Sequence, residues 1–196
     1  MAHANYQQRR QQIEHYFDRA AADVWARLTS DEPVSGIRET VRAGREEMRN
    51  TLLSWLPEDL SGRQVLDAGC GTGVISIELA KRGAEVIAVD LSHSLIELAN
   101  ERYSSMDEYH RIEFIVGDMR QLEGQRFDHV LAMDSIIHYA AQDGLRTLET
   151  LADSVDESMV FTFAPKTLPR HAIPMTSPQR CLPLCIAPLL TFVAPL

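Results

Sequence analysis

Hydrophobic positions along the chain follow two different periods. In the opening segment they recur at helical spacing: Ile13, Tyr16, Phe17, Ala20, Ala21, Val24 and Leu28 fall on one stripe, and Ile37, Val41, Gly44, Met48 and Leu52 on a second. This predicts two amphipathic helices, the first stopped by Asp31–Pro33 and the second capped by Ser35 and followed by Pro57. From Gln64 onward the pattern becomes short apolar runs at 64–69, 85–90, 112–118, 127–135 and 158–164, with helical stretches between them. Gly83 suits a left-handed C-terminal cap for the first of these helices. Ser92 can cap the next, whose apolar face includes Leu95, Ile96 and Ala99. Strands alternating with helices of this length predict right-handed crossovers, hence an α/β fold with a mostly parallel sheet and helices on both faces.

Composition changes the picture at the C-terminal end. Residues 165–196 hold seven of the nine prolines, two of the three cysteines, none of the ten glycines and none of the 28 acidic residues. Prolines this frequent forbid long helices and spoil central strands, so an irregular Pro-rich tail is expected there. The chain therefore divides into a helical extension or lid (1–60), a Rossmann-like domain (61–164) and the tail (165–196). With a formal charge of −9, a basic surface that coats nucleic acid is not expected. Three cysteines are too few for a disulfide framework, and MAHANYQQRRQQ has no apolar core to serve as a secretion signal, so a reducing cytoplasm is the expected compartment. No window offers the roughly 18 uninterrupted apolar residues of a membrane span. Peripheral association with a membrane or with a pathway enzyme stays open.

The first crossover carries the chemistry. VLDAGCGTG places Asp67, Gly69, Gly71 and Gly73 on the turn from a buried strand into a helix. Glycines there let the backbone approach a ligand, and the free N–H groups of the next helix favour electron-rich atoms. The spacing departs from the dinucleotide fingerprint, because its third glycine comes one position early and Val74 stands in the later place. Asp90 closes the second strand, where an acid can take both ribose hydroxyls. Asp118 ends the third, on the same edge of the sheet, where it can accept from an exocyclic amine. Three acids framing a glycine turn suit a nucleoside that carries no pyrophosphate; singly, Asp90 or Asp118 also reads as a cap or turn residue.

This constellation resembles the class I S-adenosylmethionine-dependent methyltransferases. The resemblance implies a Rossmann-like fold, S-adenosylmethionine as cofactor, and cofactor contacts from Asp67, Ala68, Gly69, Cys70, Gly71, Gly73, Asp90, Leu91, Asp118, Met119 and Met133. Asp67 would hold the amino end of the methionine moiety, and Leu91 and Met119 would flank the adenine. Residues 16–49, VGDM and MDSIIHYA (133–140) look more narrowly like the magnesium protoporphyrin IX O-methyltransferases of bacteriochlorophyll synthesis. That likeness implies methylation of one propionate of a magnesium porphyrin. The wider class continues with a helix and two antiparallel strands, a pattern absent from Pro165 onward; the last strands are expected to be missing, and a frameshift or truncation near Lys166 would explain the composition.

A propionate, with a pKa near the 4.3 or so of Glu, is already ionised at neutral pH, so the reaction needs positioning more than a base. His138, after the fourth strand, is the candidate substrate-side catalytic residue, with Tyr139 and Asp134 behind it; the competing reading is a histidine packed at a helix start. The remaining histidines and Cys181 and Cys185 show no metal-site spacing, and magnesium would arrive inside the substrate. Arg38, Arg42, Arg45 and Arg49 form one stripe that could meet porphyrin carboxylates or anionic lipid. Interleaved Glu39, Glu46 and Glu47 favour a solvated salt-bridged face instead. The first helix, with Tyr16, Phe17 and Trp25, reads either as a movable lid over a flat substrate or as packed core. Two other functions stay in view: methylation of a quinone or another small molecule, and an inactive cofactor-binding or interaction protein.

Overall fold

The computed structural model describes residues 2–30, 33, 36–122, 124–163 and 190–195. The opening segment is a helical arm: α1 (Ala2–His15), a π-helical stretch (Tyr16–Ala21) and α2 (Ala22–Leu28). A π-helical stretch widens the turn and breaks the 3.6-residue register. The single stripe expected here is thereby divided: Ile13, Ala21 and Leu28 are buried, whereas Tyr16 is 37% exposed.

In α3 (Ile37–Ser54) the N-cap position is Gly36, at φ 57°; Ser35, the expected cap, and Asp31 lie outside the described residues. The expected apolar face also needs correction, since Ile37 is 84% exposed and Gly44 is exposed. Val41 is buried as expected, and in the later turns of α3 Leu52 and Leu53 join Leu56 and Leu60, with Met48 against them.

The sheet contains β1 (Gln64–Ala68), β2 (Glu85–Asp90), β3 (Ile112–Val116), β4 (Phe127–Ala132), β5 (Val155–Phe163) and β6 (Leu190–Pro195), in the order β3-β2-β1-β4-β5-β6. The first five strands run parallel. Between them stand α4 (Val74–Lys81), α5 (His93–Tyr103) and α6 (Ala141–Ala152). Gly83 takes φ 92°, and Ser92 Oγ accepts from the Leu95 N–H at 3.2 Å, so both punctuation residues act as their types dictate.

Within the segment from 165 that is expected to be irregular, the described residues contain one strand, β6, in place of the helix and antiparallel pair of strands of the wider class. Leu190–Pro195 pairs antiparallel with β5, Leu190 opposite Phe163 and Pro195 opposite Ser158. Thr191, Phe192 and Val193 are residue types that suit a strand. The strand lies at the sheet edge, where proline is tolerated, and Pro195 is its last residue. The rest of the tail, 164–189 and 196, lies outside the described residues.

Both sheet faces are covered, which is why the strands read as apolar runs and not as alternating ones. In β1, Val65 packs into one cluster with Ile77, Leu79 and Leu131, while Leu66 packs into the other with Phe127, Val130 and Leu151. This rigid sandwich brings the carboxyl ends of β1, β2, β3 and β4 to one edge; the strand order reverses between β1 and β4, the position where open α/β sheets bind ligands. Among the described residues no helix is long and apolar enough to cross a membrane.

Leu131 is fully buried in the cluster that also holds Val65 and Val160. Leu131→Ala is expected to cost about 2–5 kcal/mol. In urea denaturation this appears as a lower midpoint with an unchanged slope.

Candidate active site

The turn after β1 is built from residues in left-handed conformations: Gly69, Gly71 and Gly73 have φ of 85°, 56° and 73°. Gly69 and Cys70 each donate their backbone N–H to the Val89 carbonyl, at 2.8 and 3.1 Å, which folds the turn against the end of β2. A Cβ on Gly69 would stand 2.3 Å from Ser135 Cβ, so glycine is required where the β1 and β4 turns meet.

Asp67 and Asp90 both line a cavity of about 240 Å³ above this turn. Asp67 is buried in β1 and accepts from Ser76 Oγ at 2.7 Å; burial, with a smaller push from Asp90, raises its pKa to about 7. Asp90 uses one oxygen to accept from the Gly71 N–H and the other to accept from the Ser92 N–H, both at 2.9 Å. Burial raises its pKa against the pull of these hydrogen bonds. Each oxygen retains a lone pair, so the carboxylate can shape the loop and still receive a ligand hydroxyl. Burial, reinforced by Asp67 and Asp90, holds the Cys70 thiol well above its usual range, so it is protonated and not a nucleophile.

The cavity gathers most of the residues that the sequence singled out. Gly69, Cys70 and Gly71 line it together with Leu91 and Met119, and so do Met133, His138 and Tyr139 from beyond β4. Three do not line it. Ala68 is buried in the core of the sheet, and Gly73 forms the N-cap of α4, where a Cβ would meet the Phe114 ring at 2.8 Å. Asp118, the expected acceptor for an exocyclic amine, is covered by α1: its two oxygens receive the Tyr6 hydroxyl at 3.0 and 2.9 Å, and one also receives the Arg120 N–H at 3.0 Å. A phenol thus occupies the acceptor that the sequence leaves open.

The helical arm covers the same edge of the sheet. Asp18 accepts from Ser92 Oγ at 2.6 Å and from the Ser94 N–H at 3.1 Å, and Arg9 donates to the His138 carbonyl at 2.8 Å. Tyr6 stacks on Tyr139 at 5.6 Å, and Phe17 meets the His138 ring edge-on at 5.2 Å. Burial lowers the His138 pKa, with Asp134 pulling the other way, so the imidazole is neutral at pH 7. Burial and the neighbouring Tyr6 raise that of Tyr139, leaving it a hydrogen-bond donor and not a base.

Asp134 stands at φ 55°, an uncommon conformation for a side-chain-bearing residue, held by its N–H donating to Thr162 Oγ1 at 2.7 Å. Its carboxylate pairs with Arg45, whose guanidinium lies 4.3 Å over the Trp25 ring. Arg42, Arg45 and Arg49 line the cavity. Arg38 is exposed as a solvated face requires, whereas Arg42, Arg45 and Arg49 are half-buried against the cavity, and of these Arg49 keeps an intrahelical ion pair of the expected kind, with Glu46 at 3.7 Å.

Tyr6, Arg9, Asp18 and Ser76 escaped the sequence reading. Tyr6 and Arg9 lie in a polar run without an apolar stripe, and nothing local marks which of its residues will face the sheet. Ser76 carries no signal beyond its place in the helix after the glycine turn. Among the described residues no group of three or more His, Cys, Asp or Glu is arranged to hold a metal ion.

Comparison with known proteins supplies the family. Residues 65–157 match a family described as a methyltransferase domain. The chain is 50% identical over 165 residues to a magnesium-protoporphyrin O-methyltransferase of Rhodobacter capsulatus, covering 84% of this chain and 73% of that one. It is 33% identical over 159 residues to a magnesium-protoporphyrin O-methyltransferase of Synechocystis, covering 80% of this chain and 69% of that one. A crystal structure of magnesium protoporphyrin IX methyltransferase from Synechocystis with bound SAM matches with a TM-score of 0.75 and 30% identity, covering 81% of this chain and 77% of that one. With half of its aligned residues shared over nearly three quarters of the Rhodobacter protein, the chain belongs to the magnesium-protoporphyrin O-methyltransferase family.

Proposed function

We infer that this protein is an S-adenosylmethionine-dependent methyltransferase that esterifies one propionate carboxylate of magnesium protoporphyrin IX, a step of chlorophyll and bacteriochlorophyll synthesis. The observation that carries this reading is the meeting, in one cavity, of Asp67, the glycine turn and Asp90 with His138. When bound, S-adenosylmethionine supplies a methyl group already activated on a sulfonium.

The donor set fits that cofactor. Asp67, ionised, holds an ammonium group; Asp90 keeps acceptor capacity for ribose hydroxyls; Leu91 and Met119 offer apolar surface to a base, and Met133 and the Gly69–Gly71 backbone border the remainder. On the substrate side, neutral His138 donates a hydrogen bond to the propionate and orients it, while protonated Tyr139 donates from the next position. No proton has to leave a carboxylate acceptor, so the protein's work is alignment and exclusion of water.

Residues 1–60 act as a lid over residues 61–164. A cavity of about 240 Å³ is smaller than typical small-ligand pockets, roughly 300–1,000 Å³, and too small for a nucleoside and a tetrapyrrole together. Admission of the porphyrin therefore requires the arm held by Tyr6, Arg9 and Asp18 to shift. The flat apolar substrate also supports peripheral work at a membrane or beside a pathway enzyme.

The decisive experiment is incubation with labelled methyl donor and magnesium protoporphyrin followed by mass analysis. A labelled monomethyl ester is expected, and turnover of a quinone in its place would replace the substrate assignment. Asp90→Ala removes both a ribose acceptor and the anchor of the Gly71 and Ser92 N–H groups. Its affinity for S-adenosylhomocysteine by calorimetry is expected to fall at least tenfold; unchanged affinity would displace Asp90 from the cofactor site.

The raised pKa of Asp67 gives a pH signature. An ammonium ligand binds the ionised carboxylate, which is depleted below about pH 7. Affinity for S-adenosylhomocysteine is therefore expected to rise with pH, by about tenfold per unit below the pKa, and to level off above it. In Asp67→Asn this dependence should disappear.

A further inference from the structure

Tyr6 of α1 is buried although the residues that follow it, Gln7, Gln8 and Arg9, are exposed. Its hydroxyl donates to both oxygens of Asp118, at 3.0 and 2.9 Å, just beyond β3. Its ring lies nearly parallel to that of Tyr139, 13° apart at a centroid distance of 5.6 Å, and the Arg120 guanidinium stands 4.5 Å over it. Tyr139 in turn donates its hydroxyl to Tyr6. One buried phenol therefore joins an acid at the end of β3 to a cavity residue from beyond β4.

The direction of this chain follows from its charged end. A phenol has one proton to give. That of Tyr6 is committed to a carboxylate, and burial together with Asp118 pushes its pKa up to about 12, so toward Tyr139 it only accepts. Tyr139 is thereby fixed as the donor. Offset stacking at such a distance also favours one ring plane over others. The same helix grips the neighbouring residue, since Arg9 donates to the His138 carbonyl at 2.8 Å. Contacts from α1 thus set both residues of the His138–Tyr139 pair, and Tyr6 itself does not line the cavity.

We propose that Tyr6 is a positioning residue for the substrate side of the site: anchored on Asp118 and stacked on Tyr139, it holds the Tyr139 hydroxyl as a donor that an incoming carboxylate takes over. This rests on the function inferred above, in which Tyr139 donates to the propionate. A neutral phenol oxygen is the weaker acceptor, and a carboxylate, whose charge-assisted hydrogen bonds are about twice as strong, draws the Tyr139 proton away from it. Tyr6 touches no reacting atom, so its effect on turnover passes through Tyr139. What it contributes is a donor already in place when the substrate arrives.

A double-mutant cycle tests this. Tyr6→Phe keeps the ring stack and removes the hydroxyl, Tyr6→Leu removes both, and Tyr139→Phe removes the donor. Rates are measured with magnesium protoporphyrin at saturating S-adenosylmethionine, and affinity for S-adenosylhomocysteine by calorimetry. Tyr6→Phe is expected to lower kcat about three- to tenfold with KM changed less than about twofold, and Tyr6→Leu to lower kcat further. Tyr139→Phe should lose at least as much as Tyr6→Phe, and the double variant Tyr6→Phe/Tyr139→Phe no more than Tyr139→Phe alone. Losses that multiply in the double variant would overturn the proposal, because Tyr6 would then act by another route. So would unchanged kcat in Tyr6→Phe, or a loss confined to KM or to cofactor affinity. Unchanged kcat in Tyr139→Phe would place the failure in the role given to Tyr139, and the proposal would fall with it. If the wild type methylates a quinone and not the porphyrin, the substrate reading falls, while the same cycle run on that acceptor still decides the role of Tyr6.

Discussion

A carboxylate at the end of β2 holds two loops at once. One Asp90 oxygen receives the Gly71 N–H and the other the Ser92 N–H, each at 2.9 Å. The first bond fixes the glycine turn after β1, and the second sets the start of α5, whose own cap is Ser92. Because hydrogen bonds to a charged acceptor are about twice as strong as neutral ones, this single side chain can couple two crossovers across the sheet edge. Asp67, Leu91 and the turn backbone all take their positions from that coupling. Burial works against it by raising the Asp90 pKa.

Above this floor the helical arm supplies groups of opposite character. Its aromatic residues Phe17 and Trp25 give apolar surface, whereas Tyr6 and Asp18 satisfy polar groups at the ends of β3 and β2. The arm meets the sheet edge through hydrogen bonds and ring contacts, whereas continuous apolar packing joins the strands to α4 and α6. Asp118, occupied by the Tyr6 hydroxyl, lies where the arm and the Rossmann-like domain meet.

The strands were legible because both sheet faces are buried: each apolar run in the sequence became a strand within a few residues of its expected ends. The glycine turn and the acids at strand ends were legible for a related reason, since backbone conformation and strand termini are local properties. The face of α3 was not. Val41, Arg45, Arg49 and Leu52 turn inward together although two of them are cationic, and Asp134, from beyond β4, with the Trp25 ring makes that tolerable for Arg45. The edge strand β6 was missed because proline spacing argues against central strands but says little about an edge.

Sequence alone determined the parallel α/β architecture, the nucleoside-shaped turn and the identity of the acids that surround it, all of which follow from periodicity and residue chemistry within short windows. Tertiary structure alone decided which side chains share the cavity: that Tyr6 would claim Asp118, that Ala68 and Gly73 would serve the scaffold, and that three arginines of α3 would line the cavity. Those outcomes depend on how the helical arm and α3 lie across the sheet edge, and contacts between residues dozens of positions apart leave no trace in any local pattern.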